Sequence, residues 1–426
     1  MNHSRRAASG GASPAARDVI GSTSRPARAG LLAAVTVLGA ALVAVTGVWA
    51  AVSMRVARKV VTPAAREMDT KIVGLDLAAQ TITLARTPDT ELPGRYGLFT
   101  SGSASYVKLG TVLGADATGV KRKLLTEIGP DARLSAQAAF SGWYYDAPEQ
   151  LHLPFTDELI GTSLGPSPAW LFPAERRVAG DGATEGTAPE DAATWVIQIH
   201  GRGAKRAECL RAVPVFHAAG MPVLVTAYRN DAEGPRTKDG SYGLGSTEWR
   251  DIDAAIGFAL RRGARRVVLM GWSMGGAIAL QASLNSAHRE AIAGLVLDSP
   301  VIDWRSVLDF QARQLKLPEP VTDLAMNALQ ADWAAPLTRS RAIPLDRLDM
   351  VARAAELRHP ILILHSDDDG FVPSDASHRL AEARPDLVQL EAFRVARHTK
   401  LWNYDQERWT RTITDWLAAH ALSARA

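Results

Sequence analysis

The residues best placed to do chemistry lie around Ser273, in Gly271-Trp272-Ser273-Met274-Gly275. A G-x-S-x-G that ends an apolar strand and opens a helix describes a sharp turn with its serine Oγ exposed. Glycines two residues to either side relieve clashes with the strand and the helix. Val267-Val268-Leu269-Met270 runs into this one, and Gly276-Ala277-Ile278-Ala279-Leu280 leaves it. A serine hydroxyl is a poor nucleophile near neutrality. It needs a histidine base, and the base needs a carboxylate to fix its tautomer. The expected chain order is serine, acid, histidine. His398 follows the last expected strand and is the expected base; His420 falls in the terminal helix. The acid is one of Asp367, Asp368 and Asp369, which end one strand, or Asp298, which ends the strand before. Residue chemistry alone leaves these four open. The oxyanion of an acyl intermediate needs two N–H donors. Met274 supplies one; Arg202 or Gly203, in His200-Gly201-Arg202-Gly203-Ala204, supplies the other. The Arg202 side chain either meets an acidic substrate group or points to solvent.

The elements that must hold these residues begin near residue 190. Apolar runs at 194–201, 222–228, 265–273, 292–300, 360–368 and 388–396 alternate with helical stretches. Strands apolar on both faces, alternating with helices, predict a mostly parallel sheet covered on both sides. Residues 303–356 insert as a helical lid, with Trp304, Phe310, Leu315, Leu317, Met326 and Trp333 packing on the sheet or lining an acyl pocket. Tyr144, Tyr145, Trp170 and Trp402 read as core, and 180–194 as an exposed loop. Residues 65–139 alternate short apolar runs with Gly, Thr and Asp, which predicts a small β-rich module without a chemical motif.

Ahead of these, residues 1–29 read as a disordered basic tail. Residues 30–54 read as a transmembrane helix, because the run 31–54 carries no charge and a span takes about 20 apolar residues. The heavier basic flank precedes the run. That places the N-terminus in the cytoplasm and the remainder outside. A signal peptide cleaved near Val48-Trp49-Ala50, giving a secreted protein, is one alternative, and a buried helix is another.

Across 426 residues, 47% are hydrophobic and 22% charged, which excludes collagen-like, mainly disordered and polytopic classes. Lys and Arg number 48 against 45 Asp and Glu, too small an excess to predict nucleic-acid binding. The single cysteine, Cys209, excludes an intramolecular disulfide and any multi-cysteine metal site. No phosphate loop or metal-ligand spacing is visible, so no cofactor or metal is expected.

Residues 140–422 resemble the α/β-hydrolase superfamily, through HGRG at 200–203, GWSMGG at 271–276, HSDDDGFVP at 365–373 and His398. The long loop 228–247 followed by Gly245-x-x-Glu248-Trp249-Arg250-Asp251 is similar to the Bem46-like and serine-peptidase-like bacterial members. The superfamily's acid motif, H-G-x-x-D-x-x-V-P, selects Asp369, with Val372-Pro373 in register and Ser366 in place of the usual glycine. His365 is then structural. The resemblance implies a Ser273–His398–Asp369 triad acting on a small-molecule ester, a lipid or a peptide. Ester hydrolysis is the first expectation and peptide or amide hydrolysis the second. A non-catalytic binding protein on the same fold and an acyltransferase are the readings from other classes.

Overall fold

The computed structural model describes residues 25–63, 66–102, 105–129, 133–174 and 194–422; side chains at 25–32 and 39–43 are outside the description. Most of the expected basic tail and of the loop at 180–194 therefore falls outside the described residues. The chain divides into two compact units, 1–51 and 52–426.

A helix α1 (Arg25–Val61) begins in the first unit and ends in the second. Within the first unit Val35, Val37, Leu38, Val45 and Val48 are exposed. Among the described residues no helix is long and apolar enough to cross a membrane. Part of the span expected at 30–54 lies outside the described side chains. In the second unit one face of α1 is buried: Ala57 and Val61 join the main core, and Ser53 Oγ donates to the Val321 carbonyl at 2.9 Å.

The β-rich module is a closed antiparallel barrel. Its strands are β1 (Thr70–Asp76), β2 (Thr81–Leu84), β3 (Tyr96–Gly102), β4 (Tyr106–Ala115), β5 (Val120–Leu124) and β6 (Leu134–Ser141), in the order β1-β2-β5-β4-β3-β6. Its last strand runs to Ser141, two residues past the 139 expected for the module. Ile82, Leu84, Tyr96, Leu98, Val107 and Leu109 fill it. In β5 the inward positions are Val120, Arg122 and Leu124. Arg122 is fully buried, and its donors reach the carbonyls of Thr90, Leu92, Gly94 and Gly110. Burial pulls its guanidinium down to about 10.

The large sheet has eight strands. Six parallel ones are β9 (Thr194–Ile199), β10 (Val223–Thr226), β11 (Arg266–Trp272), β12 (Ile292–Asp298), β13 (Ile361–Ser366) and β14 (Val388–Phe393). The order is β14-β13-β12-β11-β9-β10-β8-β7. The last two, β7 (Thr156–Thr162) and β8 (Gly165–Phe172), form an antiparallel hairpin that the sequence reading missed. Pro166 and Pro168 argued against a strand. They lie beyond Ala169, the last residue paired with β10, so the β10 ladder does not need their N–H groups. Alternate residues of each central strand enter opposite cores. Trp195, Ile197, Val267 and Leu269 join one, and Val196, Val268, Met270 and Trp272 the other.

Helices α2 (Val213–Ala218), α3 (Trp249–Arg261), α4 (Met274–Asn285), α8 (Asp375–Ala383), α9 (Leu401–Tyr404) and α10 (Gln406–Ala419) accompany the sheet. The expected lid contains α5 (Trp304–Gln314), α6 (Glu319–Gln330) and α7 (Ala335–Thr338). Trp304 and Met326 pack in the core beneath it, and Phe310 and Leu317 are half-buried. Leu315 and Trp333 instead stand out to solvent, each 65% exposed, rather than packing on the sheet. The chain leaves β9 toward β10 and returns to β11 on the other side of β9. Side chains at the carboxyl ends of β9 and β11 meet at this switch point, where open α/β sheets place their ligands.

Candidate active site

Ser273 stands between β11 and α4 with φ 52° and ψ −117°, a left-handed backbone rare for a side chain other than glycine. The strain is held by its surroundings. Ser273 N donates to the Asp298 carbonyl at 3.0 Å, and its own carbonyl accepts from Gly276 N and Val301 N. A Cβ on Gly271 would sit 2.4 Å from the Gly275 carbonyl oxygen, and one on Gly275 would sit 2.2 Å from that of Ile199. Both glycines are thus required by close backbone approach.

The structure brings Ser273, His398 and Asp369 into one line. Ser273 Oγ lies 3.0 Å from His398 Nε2, and His398 Nδ1 lies 2.7 Å from Asp369 Oδ2. The other Asp369 oxygen accepts from Phe371 N at 2.8 Å and Val372 N at 2.9 Å. Burial pushes the Asp369 carboxyl up, but His398 and His365 outweigh it and hold it well below the ordinary carboxylate range. His365 is buried, with Nδ1 2.8 Å from Ser377 Oγ and Nε2 3.1 Å from the Val372 carbonyl.

The other three aspartates are placed elsewhere. Asp367 pairs with His378 and Ser374 on the surface. Asp368 pairs with Arg397 at 3.2 Å. Asp298 is fully buried and accepts from Trp409 Nε1 and Ser299 Oγ, with burial pushing its carboxyl up. Through Ser299 Oγ, which accepts from Thr399 N at 3.1 Å, Asp298 braces the residue next to His398.

The loop after β9 abuts the serine: a Cβ on Gly201 would lie 3.3 Å from Ser273 Cβ. Its N–H donors divide. Gly201 N donates to Glu208 Oε2 at 2.6 Å and Gly203 N to Tyr242 Oη at 3.3 Å. Among the described residues Arg202 N has no hydrogen-bond acceptor. Met274 N is the first of α4, a position that leaves an N–H without an intrahelical partner.

The Arg202 side chain neither faces a substrate acid nor projects freely into solvent. Its Nε donates to the Val60 carbonyl at 2.7 Å, and its Nη2 to those of Lys59 at 2.6 Å and Thr62 at 3.2 Å. Burial lowers the guanidinium's pKa, and the carbonyls at the negative end of α1 receive its charge. Tyr242 makes a second tie, donating its N–H to the Val61 carbonyl at 2.8 Å.

Several residues here were given no role by the sequence. Glu208 is buried, accepting from Trp143 Nε1 at 3.1 Å as well as from Gly201 N. His200 and Asp231 form a fully buried pair at 2.8 Å behind the same loop, with His200 stacked on Tyr228. Glu248 is completely buried and accepts from the N–H groups of Gly243 and Gly245. Cys209 is buried, its thiol pushed well up by burial. Tyr144, Trp170 and Trp402 are buried as expected, and Tyr145 is half-buried. Among the described residues no His, Cys, Asp and Glu cluster suits a metal.

Comparison with known proteins gives this geometry a context. A model of the prolyl oligopeptidase family matches residues 215–423. A domain of unknown function, DUF8805, matches residues 71–141, the barrel. A pimeloyl-[acyl-carrier protein] methyl ester esterase of Aliivibrio fischeri is 24% identical over 186 residues, covering 37% of this chain and 72% of that protein. Similar solved structures include an esterase of Pyrococcus furiosus, 17% identical with a TM-score of 0.48 over 64% of this chain and 94% of that one. A puromycin-hydrolyzing peptidase of Mycobacterium tuberculosis is 18% identical, with a TM-score of 0.46 over 81% of this chain and 46% of that one. The strand order and the switch point are those of an α/β-hydrolase fold. The chain is an enzyme, a serine hydrolase of the esterase and peptidase type.

Proposed function

We propose that the protein hydrolyses a carboxylic ester through Ser273, His398 and Asp369. The observation that carries this reading is the unbroken line from Ser273 Oγ through His398 to the Asp369 carboxylate, 3.0 Å and 2.7 Å long. Ser273 Oγ attacks the acyl carbon while its proton passes to His398 Nε2. The C–O bond to the alcohol breaks, and the alkoxide leaves with that proton. Water then gives its proton to His398 and attacks the acyl-enzyme, releasing the acid and restoring Ser273. Asp369 holds the imidazole and offsets its charge. Met274 N and Arg202 N receive the oxyanion; the Gly203 N–H, the other candidate, already has Tyr242 as its acceptor.

Peptide or amide hydrolysis is the second reading, favoured by the prolyl oligopeptidase match over residues 215–423. Matched ester and amide substrates with one acyl group separate the two. The ester reading expects kcat/KM for the ester to exceed that for the amide by far more than their intrinsic reactivities differ. A ratio no larger than the intrinsic one favours the peptidase.

The uncharged run at 31–54 supports a further proposal, that α1 anchors the chain with its N-terminus in the cytoplasm and the hydrolase part outside. Protease accessibility on intact cells tests it. Digestion of the hydrolase part only after lysis would overturn it.

A further inference from the structure

The barrel has no task in this chemistry, yet it borders the catalytic base. A cleft of about 280 Å3 separates it from the loops carrying Asp369 and His398. One wall is Asp89, Phe140 and Trp143, from the barrel and the segment just after it. The other is Phe371, Arg397 and Lys400, and His398 itself opens into the space. The Phe371 ring stands 5.2 Å from the His398 ring.

Its charge is unbalanced. Lys400 Nζ is 3.1 Å from Asp89 Oδ1, and Arg397 Nε is 3.9 Å from the same oxygen. Two cations thus share the only acid of the lining. Arg397 also reaches Asp368, which lies outside the lining. A third cation backs the barrel wall. Arg66 lies over the Phe99 ring at 3.6 Å and the Trp143 ring at 4.1 Å, and donates from Nη1 to Ser141 Oγ at 3.1 Å. Ser141 also lines the cleft. Among the described residues no carboxylate lies within ion-pair distance of Arg66, although Glu208, the acceptor for Trp143 Nε1, partly offsets its charge. Burial lowers the Arg66 pKa to about 10, which leaves it charged at neutral pH.

We propose that the barrel is the specificity wall of the active site, and that the cleft receives a substrate group with an apolar body and a carboxylate tip. This rests on the ester-hydrolysis reading and names its substrate class. Phe140, Trp143 and Phe371 take the body. Lys400 and Arg397 take the carboxylate, which displaces Asp89 as their partner, and Arg66 adds its field from behind Trp143.

The test uses the full chain and two 4-nitrophenyl esters of equal chain length, one from a straight-chain monocarboxylic acid and one a monoester of the matching dicarboxylic acid. The anionic ester is expected to show about ten-fold higher kcat/KM, as one charge-assisted contact would give. Lys400→Gln collapses the preference toward one, through KM. Asp89→Asn, which removes the competing acid, raises it. These opposite shifts do not follow from simple damage to the fold, and a salt titration that erodes the wild-type preference accompanies them. Cleavage of both esters with no anionic preference overturns the subsite and leaves the hydrolytic reading standing. So do variants that shift both esters equally. Cleavage of neither ester overturns both readings.

Discussion

At the residue scale, three aspartates in a row show how local chemistry and tertiary placement divide the work. Asp367, Asp368 and Asp369 follow the same strand, yet only Asp369 turns inward to His398. Asp369→Asn is expected to lower kcat by roughly 10⁴-fold, because the imidazole loses its orienting acceptor. Asp367→Asn, on the exposed side, should change kcat/KM by less than about three-fold; steady-state kinetics on one ester distinguish them. The depressed Asp369 carboxyl also fixes a pH dependence. Its folded pKa lies below its unfolded value of roughly 3.9. The stability it contributes is therefore present above about pH 4 and is lost as pH falls further. Denaturant unfolding from pH 7 down to pH 3 checks this: Asp369→Asn should flatten the acid limb. Asp369 stays ionised across the mildly acidic range, so loss of activity there does not arise from its protonation.

At the element scale, the strand–Ser273–helix turn was legible because its glycines answer to backbone sterics at fixed offsets. The parallel strands were legible because burial on both faces makes them apolar without interruption. The hairpin β7–β8 was hidden by Pro166 and Pro168. Strand β5 was hidden because Val120-Lys121-Arg122-Lys123-Leu124 turns a charged side chain inward, against the alternation that marks a strand. The Arg202 contact was not legible either, since Lys59, Val60 and Thr62 offer carbonyls, which every residue has. It ties the loop beside Ser273 to the end of α1. Arg202→Ala should destabilise the protein by about 1–3 kcal/mol, leaving helix-end carbonyls without a donor. It should also slow acylation. Thermal unfolding and the rate of inactivation by a fluorophosphonate measure the two effects. Acylation as fast as in the wild type would show that the loop keeps its place without α1.

At the scale of the whole molecule, the barrel and the sheet share one compact unit, and the segment carrying His398 is fastened to both. Asn403 Nδ2 donates to the Arg95 carbonyl on the barrel side at 2.7 Å, and Arg211 Nη1 bridges the carbonyls of Gly142 and Thr399. The barrel's own integrity rests on Arg122. Arg122→Met should cost at least about 2 kcal/mol by leaving buried carbonyls unpaired. Hydrogen exchange should then quicken in residues 70–141 before it does in the sheet. Neither the closure of the barrel nor its place beside His398 was legible in a run of short strands, because both depend on pairings between distant residues. The central claim is that Ser273, His398 and Asp369 form a working nucleophilic site. Labelling of the full chain with a fluorophosphonate, beside folded Ser273→Ala and His398→Ala variants, tests it most directly. Stoichiometric modification of Ser273 in the wild type, none in Ser273→Ala and a strongly slowed reaction in His398→Ala is the predicted result. A folded wild type that stays unmodified, or one modified equally fast without His398, would contradict the account.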